Sequence, residues 1–128
     1  MGITCYIAGP LTNGGRATDA EIDANLARAI AAWDRLRCMG ICGILPHLSI
    51  HLERDHGIRL TQDQWIEWCL PQVAASDILL RLSGASSGSD REVELARALG
   101  MNVYFGFDEL MEIFEPAEPF PIEPLEEK

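Results

Sequence analysis

Residues 77–100 read Asp77-Ile-Leu-Leu-Arg-Leu82, Ser83-Gly-Ala-Ser-Ser-Gly88, Ser89-Asp-Arg-Glu92 and then Val-Glu-Leu-Ala-Arg-Ala-Leu99-Gly100. A short apolar run, a loop of small residues and an amphipathic run stopped by glycine spell strand, loop and helix. The predicted strand covers Asp77 to Leu82 and the predicted helix Ser89 to Leu99. The same unit recurs on both sides. Upstream, Ile3 to Ala8 is a strand ended by Gly9-Pro10. A helix follows from about Ala20 to Met39, with Ile22, Leu26, Ile30, Trp33 and Leu36 three or four residues apart and Gly40 as its stop. Ile41 to Leu45 is a strand broken by Pro46, and Thr61-Gln62-Asp63-Gln64 has the form of a capping box that opens a helix to about Ala75. Pro71 is expected to kink or split that helix. Downstream come a strand at Asn102 to Phe105 and a short helix at Asp108 to Phe114.

Apolar strands alternating with helices predict an α/β fold: an open, doubly wound parallel sheet of four to five strands with helices on both faces. One domain spans 1–114. Residues 115–128, EPAEPFPIEPLEEK, carry four of the seven prolines and cannot form a helix or central strand. This tail is either an extended arm, laying Phe120, Ile122 and Leu125 on its own domain or a neighbouring subunit, or a solvated segment.

At 128 residues the chain suffices for one core. It is 48% hydrophobic and 23% charged, with mean hydropathy +0.03, and no apolar run approaches the ~20 residues of a membrane span. A net charge of −10 disfavours nucleic acid as a partner and leaves a small molecule or a protein. The only lysine is Lys128, so Schiff-base and Walker-type lysine chemistry is excluded. The opening MGITCYIAG lacks the pattern of a secretory signal, and Cys5, Cys38, Cys42 and Cys69 form no CxxC pair, which together predict reduced thiols in a cytoplasmic protein.

In doubly wound sheets ligands bind beyond the carboxyl ends of the strands, which directs attention to Gly9–Arg16, Pro46–His51 and Ser83–Glu92. In the third loop Ser86, Gly88 and Ser89, with the opening amides of the next helix, could hold a phosphate or a sugar hydroxyl; equally, small residues there could merely turn the chain. Glu92 also has two readings. It is a candidate for chemistry, yet Ser89-Asp90-Arg91-Glu92 fits a capping box in which Glu92 only bonds the backbone of Ser89. Asp77, at a strand start, reads as a turn or cap residue. Trp33, Trp65 and Trp68 read as core or subunit-contact residues rather than as stacking platforms. His47 and His51, four apart, could share a metal with Glu53 or Asp55, but no second cluster supplies further ligands and no metal or cofactor is expected.

Three blocks resemble the nucleoside 2-deoxyribosyltransferase superfamily, which includes deoxynucleoside-monophosphate N-glycosidases. They are Tyr6-Ile-Ala-Gly-Pro10; Trp65-Ile-Glu-Trp68 leading to Ser76-Asp-Ile-Leu-Leu80; and Leu82 to Glu92, similar to the family's S-x-G-x-x-x-E segment with Ser86, Gly88 and Glu92 on the matching positions. With Asn25, Pro46-His47 and Leu99-Gly100, the likeness covers about residues 3 to 107. It implies that Glu92 attacks C1′ of a (deoxy)ribosyl group, that Tyr6 orients Glu92, and that Ser86 and Gly88 bind the 5′ end of a nucleoside or nucleotide while His47 lines the pocket. Gly9 and Ser89 join the substrate-binding set. Without an internal lysine, a phosphate would rely on backbone N–H groups, Ser86 and Arg16 or Arg91. The resemblance further implies a homo-oligomer in which helices beside the pocket meet. One position departs from it: where the family places an aspartate eight residues before Asp77, this chain has Cys69. Asp63, Glu67 or Asp90 would have to replace that carboxylate, or the chain binds nucleotides without efficient turnover.

Overall fold

The computed structural model describes residues 2–114, so the expectations for the 115–128 tail lie outside the described residues. The elements are β1 (Thr4–Ala8), α1 (Asp19–Cys38), β2 (Cys42–Ile44), a 3-10 turn at Pro46–Ser49, α2 (Ile50–Arg54), α3 (Gln62–Ala74), β3 (Ile78–Arg81), α4 (Ser87–Ala98), β4 (Asn102–Phe105) and α5 (Phe107–Ile113). All strand pairs are parallel and the sheet order is β2-β1-β3-β4. This is the expected α/β parallel sheet, with four strands.

Alternation along β1 explains the two layers, because successive side chains leave a strand on opposite faces. Cys5 and Ile7 join Ala32 and Leu36 of α1 and Leu110 of α5 in one apolar cluster. Tyr6 and Ala8 join Val73 of α3 and Val93 and Ala96 of α4 in the other. The sheet is therefore covered on both faces, as a parallel sheet of near-continuous hydrophobic strands requires. Trp33, read as a core or subunit-contact residue, is partly buried and packs against the first cluster. Its indole N–H donates to the Gly43 carbonyl at 3.0 Å, and a Cβ at Gly43 would lie 2.8 Å from the ring, so glycine is what lets α1 approach β2.

The Thr61 capping box is present: the Gln64 N–H donates to Thr61 Oγ1 at 3.1 Å and the Thr61 N–H to Gln64 Oε1 at 2.9 Å. Pro71 does not split α3, which continues to Ala74. Pro71 and Glu67 both face solvent, where water can bond the carbonyl that a proline deprives of its donor. Asp77 is the strand-start cap it was read as, accepting the Thr4 N–H at 2.8 Å. The Pro46–His51 stretch, read as a loop, instead forms the 3-10 turn and the start of α2. Among the described residues no helix is long and apolar enough to cross a membrane.

Candidate active site

The chain leaves β1 towards β2 on one side and returns to β3 on the other, so the order reverses between β1 and β3. The carboxyl ends of two strands there diverge into loops running to opposite faces, which opens a crevice. A cleft of about 590 Å³ lies at this place, lined by the loop after β1, the 3-10 turn and α2 after β2, the outward turns of α3 and the first turns of α4.

α4 begins earlier than its sequence suggests. Ser86, extended at φ −161° and ψ 107°, is the N-cap and its Oγ accepts the Ser89 N–H at 3.1 Å. The Ser89–Glu92 capping box is thus overturned: Ser89 occupies the third helical position, and Glu92 lies a turn deeper, released from the backbone. Glu92 is only 7% exposed and accepts a hydrogen bond from the Tyr6 hydroxyl, which rises from the middle of β1. Burial pushes the Glu92 carboxyl up to about 7, against the opposing pull of the Tyr6 hydroxyl and the Arg81 charge. Burial and the neighbouring carboxylate push the Tyr6 phenol far upward, so it remains a donor. Cys69 of α3 stands against the same hydroxyl, and burial raises its thiol to about 11, leaving it protonated and a poor acid or nucleophile at neutral pH.

The loop between β3 and α4 is braced from below. Arg81, 7% exposed, donates to the carbonyls of Leu82 and Gly84, the latter at 2.9 Å, and reaches Asp90 at 3.2 Å. Gly84 holds φ +116° while its Cα faces Pro10, where a Cβ would come within 2.9 Å, so only glycine completes the turn. At the resulting helix start the N–H groups of Ser87 and Gly88 have no intrahelical acceptors, and both residues line the cleft. A Cβ on Gly88 would make only ordinary contacts with Gln62 and Ile66, so the chain's own packing does not demand glycine there.

On the β2 side His47 is 3% exposed. Its Nε2–H donates to the Gly9 carbonyl at 3.1 Å, and burial lowers it to about 4, so the ring is neutral. Its Nδ1, necessarily a lone-pair acceptor in this tautomer, has no partner in the protein. An unpaired buried polar atom costs about 1–3 kcal/mol. Gly9 is also fixed by packing, since a Cβ would meet that of Leu82 at 3.0 Å.

Of the residues singled out from sequence, Tyr6, Gly9, His47, Ser86, Gly88, Ser89 and Glu92 all line this cleft. Arg16 does not: it is exposed on the turn closed by the Ala17 N–H on the Thr12 carbonyl. Arg91 is also outside, paired with Asp63 at 3.1 Å. The arginines that do line the cleft are Arg54, held by Asp23 at 2.6 Å, and Arg59. Asp63, Glu67 and Asp90, the suggested replacements for a second carboxylate, lie outside the lining; besides Glu92, Asp19 and Glu53 are its acids. Trp65, read as a core or subunit-contact residue, faces the cleft, edge-on to Trp68 with ring centroids 5.9 Å apart. Arg81 was missed although an arginine within DILLRL is itself a signal, since a charge in a buried strand must find partners. His47 and His51 do not converge, His51 pairing with Asp55 at 3.0 Å, and among the described residues no cluster of three metal-ligating side chains exists. No protein-family model matches the chain, and no curated protein matches it.

Proposed function

We propose that the protein cleaves or transfers the N-glycosidic bond of nucleosides or nucleotides, with Glu92 as nucleophile. The observation that carries this reading is the buried Glu92 carboxylate, held by the Tyr6 hydroxyl at the floor of a cleft whose rim is the N-terminus of α4. The sequence resemblance to nucleoside 2-deoxyribosyltransferases supports the same assignment. The carboxylate attacks C1′ through an oxocarbenium-like transition state, the C1′–N bond breaks with its electron pair passing to the base, and a glycosyl ester of Glu92 remains. Water attacking C1′ then displaces the carboxylate, its oxygen joining C1′ and its proton ending on the departed base, which completes hydrolysis; a second base attacking C1′ through its ring nitrogen, and giving its N–H proton to the first, completes transfer. The free N–H groups of Ser87 and Gly88 suit a 5′-phosphate, and the unforced glycine at 88 keeps that space open; the Ser86 hydroxyl, which donates to Ser89 Oγ at 2.9 Å, holds the turn that offers them. The exposed Trp68 on α3 beside the cleft supports a homo-oligomer.

Glu92→Ala is expected to abolish base release from deoxynucleoside monophosphates while circular dichroism shows the fold intact. Wild-type release should rise with pH to a plateau above about 7, since the attacking form is the ionised one and burial raises its pKa. Equal, slow release by wild type and variant would sink the reading. Cys69 beside Tyr6 favours a second one, a nucleotide-binding module without turnover, because the thiol leaves Glu92 without an adjacent acid partner. Saturable binding by calorimetry with no base release would establish it, and a glycosyl adduct on Glu92 by mass spectrometry would dispose of it.

A further inference from the structure

A second groove, of about 450 Å³, lies between α1 and the turn from β4 into α5, the two helices that cover the sheet face away from α3 and α4. Its lining is apolar at Leu82, Phe105 and Phe107, and holds two arginines, Arg28 and Arg35, with no carboxylate. In a chain of twenty acidic and ten basic residues, that grouping runs against the overall charge. Neither arginine pairs with a carboxylate among the described residues. Arg28 gives one N–H to the Ser83 carbonyl. Arg35 lies on the Phe107 ring, its Cζ 4.2 Å from the centroid, and Arg97 lies 5.4 Å from the centroid of Phe105. A guanidinium stacked on a ring keeps its in-plane N–H donors for a carboxylate. Phe105 is 48% exposed, so an apolar partner has surface left to cover. Aromatic grooves of this kind take proline-rich segments in the polyproline II conformation, which lose little entropy on docking. The two arginines ask that such a segment be acidic.

The chain carries one. Residues 115–128 contain two P-x-x-P repeats, Pro116 to Pro119 and Pro121 to Pro124, with five glutamates and with Phe120 and Ile122 between them. They follow directly on Phe114, whose ring packs edge-on against Tyr104 at 6.0 Å between centroids. The seven residues of α5 measure about 10 Å from end to end, whereas the six residues from Phe114 to Phe120 span about 19 Å in polyproline II. Phe120 therefore reaches back to Phe107 with length to spare. We propose that residues 115–128 fold back on their own domain, seating Phe120 and Ile122 on Phe105 and Phe107 and setting Glu118 and Glu123 on Arg28 and Arg35. A tether this short holds the segment at an effective concentration of about millimolar, which favours the chain's own groove over that of a second copy. The docking holds whether or not Glu92 is a nucleophile.

NMR on the full chain tests this. The backbone amides of Glu118, Phe120, Ile122 and Glu123 should show order parameters of about 0.85, the value of a rigid backbone, and the Ile122 methyls should give nuclear Overhauser contacts to the Phe105 and Phe107 rings. Reversing both groove charges, Arg28→Glu with Arg35→Glu, should drop those order parameters below about 0.6, and adding Glu118→Arg with Glu123→Arg should restore them. Should the charge reversals not fold, Phe120→Ala with Ile122→Ala changes only the tail; it should remove the same ordering and shift the Phe105 and Phe107 ring resonances. Order parameters below about 0.6 in the wild-type chain, with no contact to either ring, overturn the proposal in favour of a solvated tail. Contacts that vanish on dilution together with a dimer seen by light scattering place the segment on a second copy and overturn it too. Ordering that survives the charge reversal unchanged does the same.

Discussion

The two walls of the cleft are built on different physics. The wall formed by β1, β3 and α4 sets its functional groups in the interior: Glu92, Ser89 and Arg81 are buried, and each is held by Tyr6, Ser86 or loop carbonyls. The opposite wall, α2 and the approach to α3, presents Arg54, Glu53 and Arg59 near the surface, with Arg54 held by the exposed Asp23 and Asp19. Pre-organised chemistry demands the first kind of wall, because buried partners fix a carboxylate's position and pKa. The second kind adapts to what is bound. Under the proposed function, bond breaking belongs to the α4 wall and accommodation of substrate to the Arg54 wall.

The hardest blow to this contrast is Arg81→Ala. It strips the Leu82 and Gly84 carbonyls of their donor and removes a cation that lowers the Glu92 pKa. Since Asp90, its ion-pair partner, is exposed and no buried charge of the pair is left behind, a loss of roughly 2–3 kcal/mol in denaturant unfolding is expected, the scale for hydrogen bonds to a charged donor; a loss below about 1 kcal/mol would mean the wall is not held from beneath. Next comes Glu92→Gln. A carboxyl held at about 7 when folded, against 4.5 as its ordinary value, binds its proton more tightly in the folded state. Its destabilising effect is absent below about 4.5, grows as pH rises and is complete above about 7. Glu92→Gln should therefore stabilise the protein by about 3 kcal/mol at pH 8 and scarcely at all below pH 4.5, which paired chemical melts would read directly. A gain independent of pH would separate the effect from ionisation. Smallest is Arg54→Ala, which breaks surface pairs with Asp23 and Asp19 and should cost under about 1 kcal/mol in melting, whatever it does to ligand affinity. A larger loss would place this wall with the buried one.

Legibility in the sequence follows the same division. β1 and β3 announce themselves as apolar runs, and the loop between β3 and α4 by its glycines and serines, because these are local patterns. The start of α4 was misread since Ser86 and Ser89 both suit an N-cap. The choice falls to Ser86 where Arg81, from within β3, gathers the preceding carbonyls, a tertiary contact no local pattern contains. α2, five residues long, is too short to be stable by propensity and exists by packing Ile50 inward. Trp65 and Arg54 could not be assigned to the cleft because their orientation depends on how α2 and α3 approach the sheet. Cys69 is the opposite case: the resemblance singles it out as the point of departure, and the structure adds that it stands beside Tyr6 and Glu92 with a protonated thiol.

Glu92 sits a full turn inside α4, and this bears on how a reaction there would end. A sugar esterified to that carboxylate would be fastened to the body of a helix packed on the sheet through Val93 and Ala96, beyond the reach of fraying at the helix tip. Departure of product from the proposed enzyme would then be gated by the Arg54 side, where only surface ion pairs have to part, and the slow step of turnover could be a motion of the wall that performs none of the chemistry.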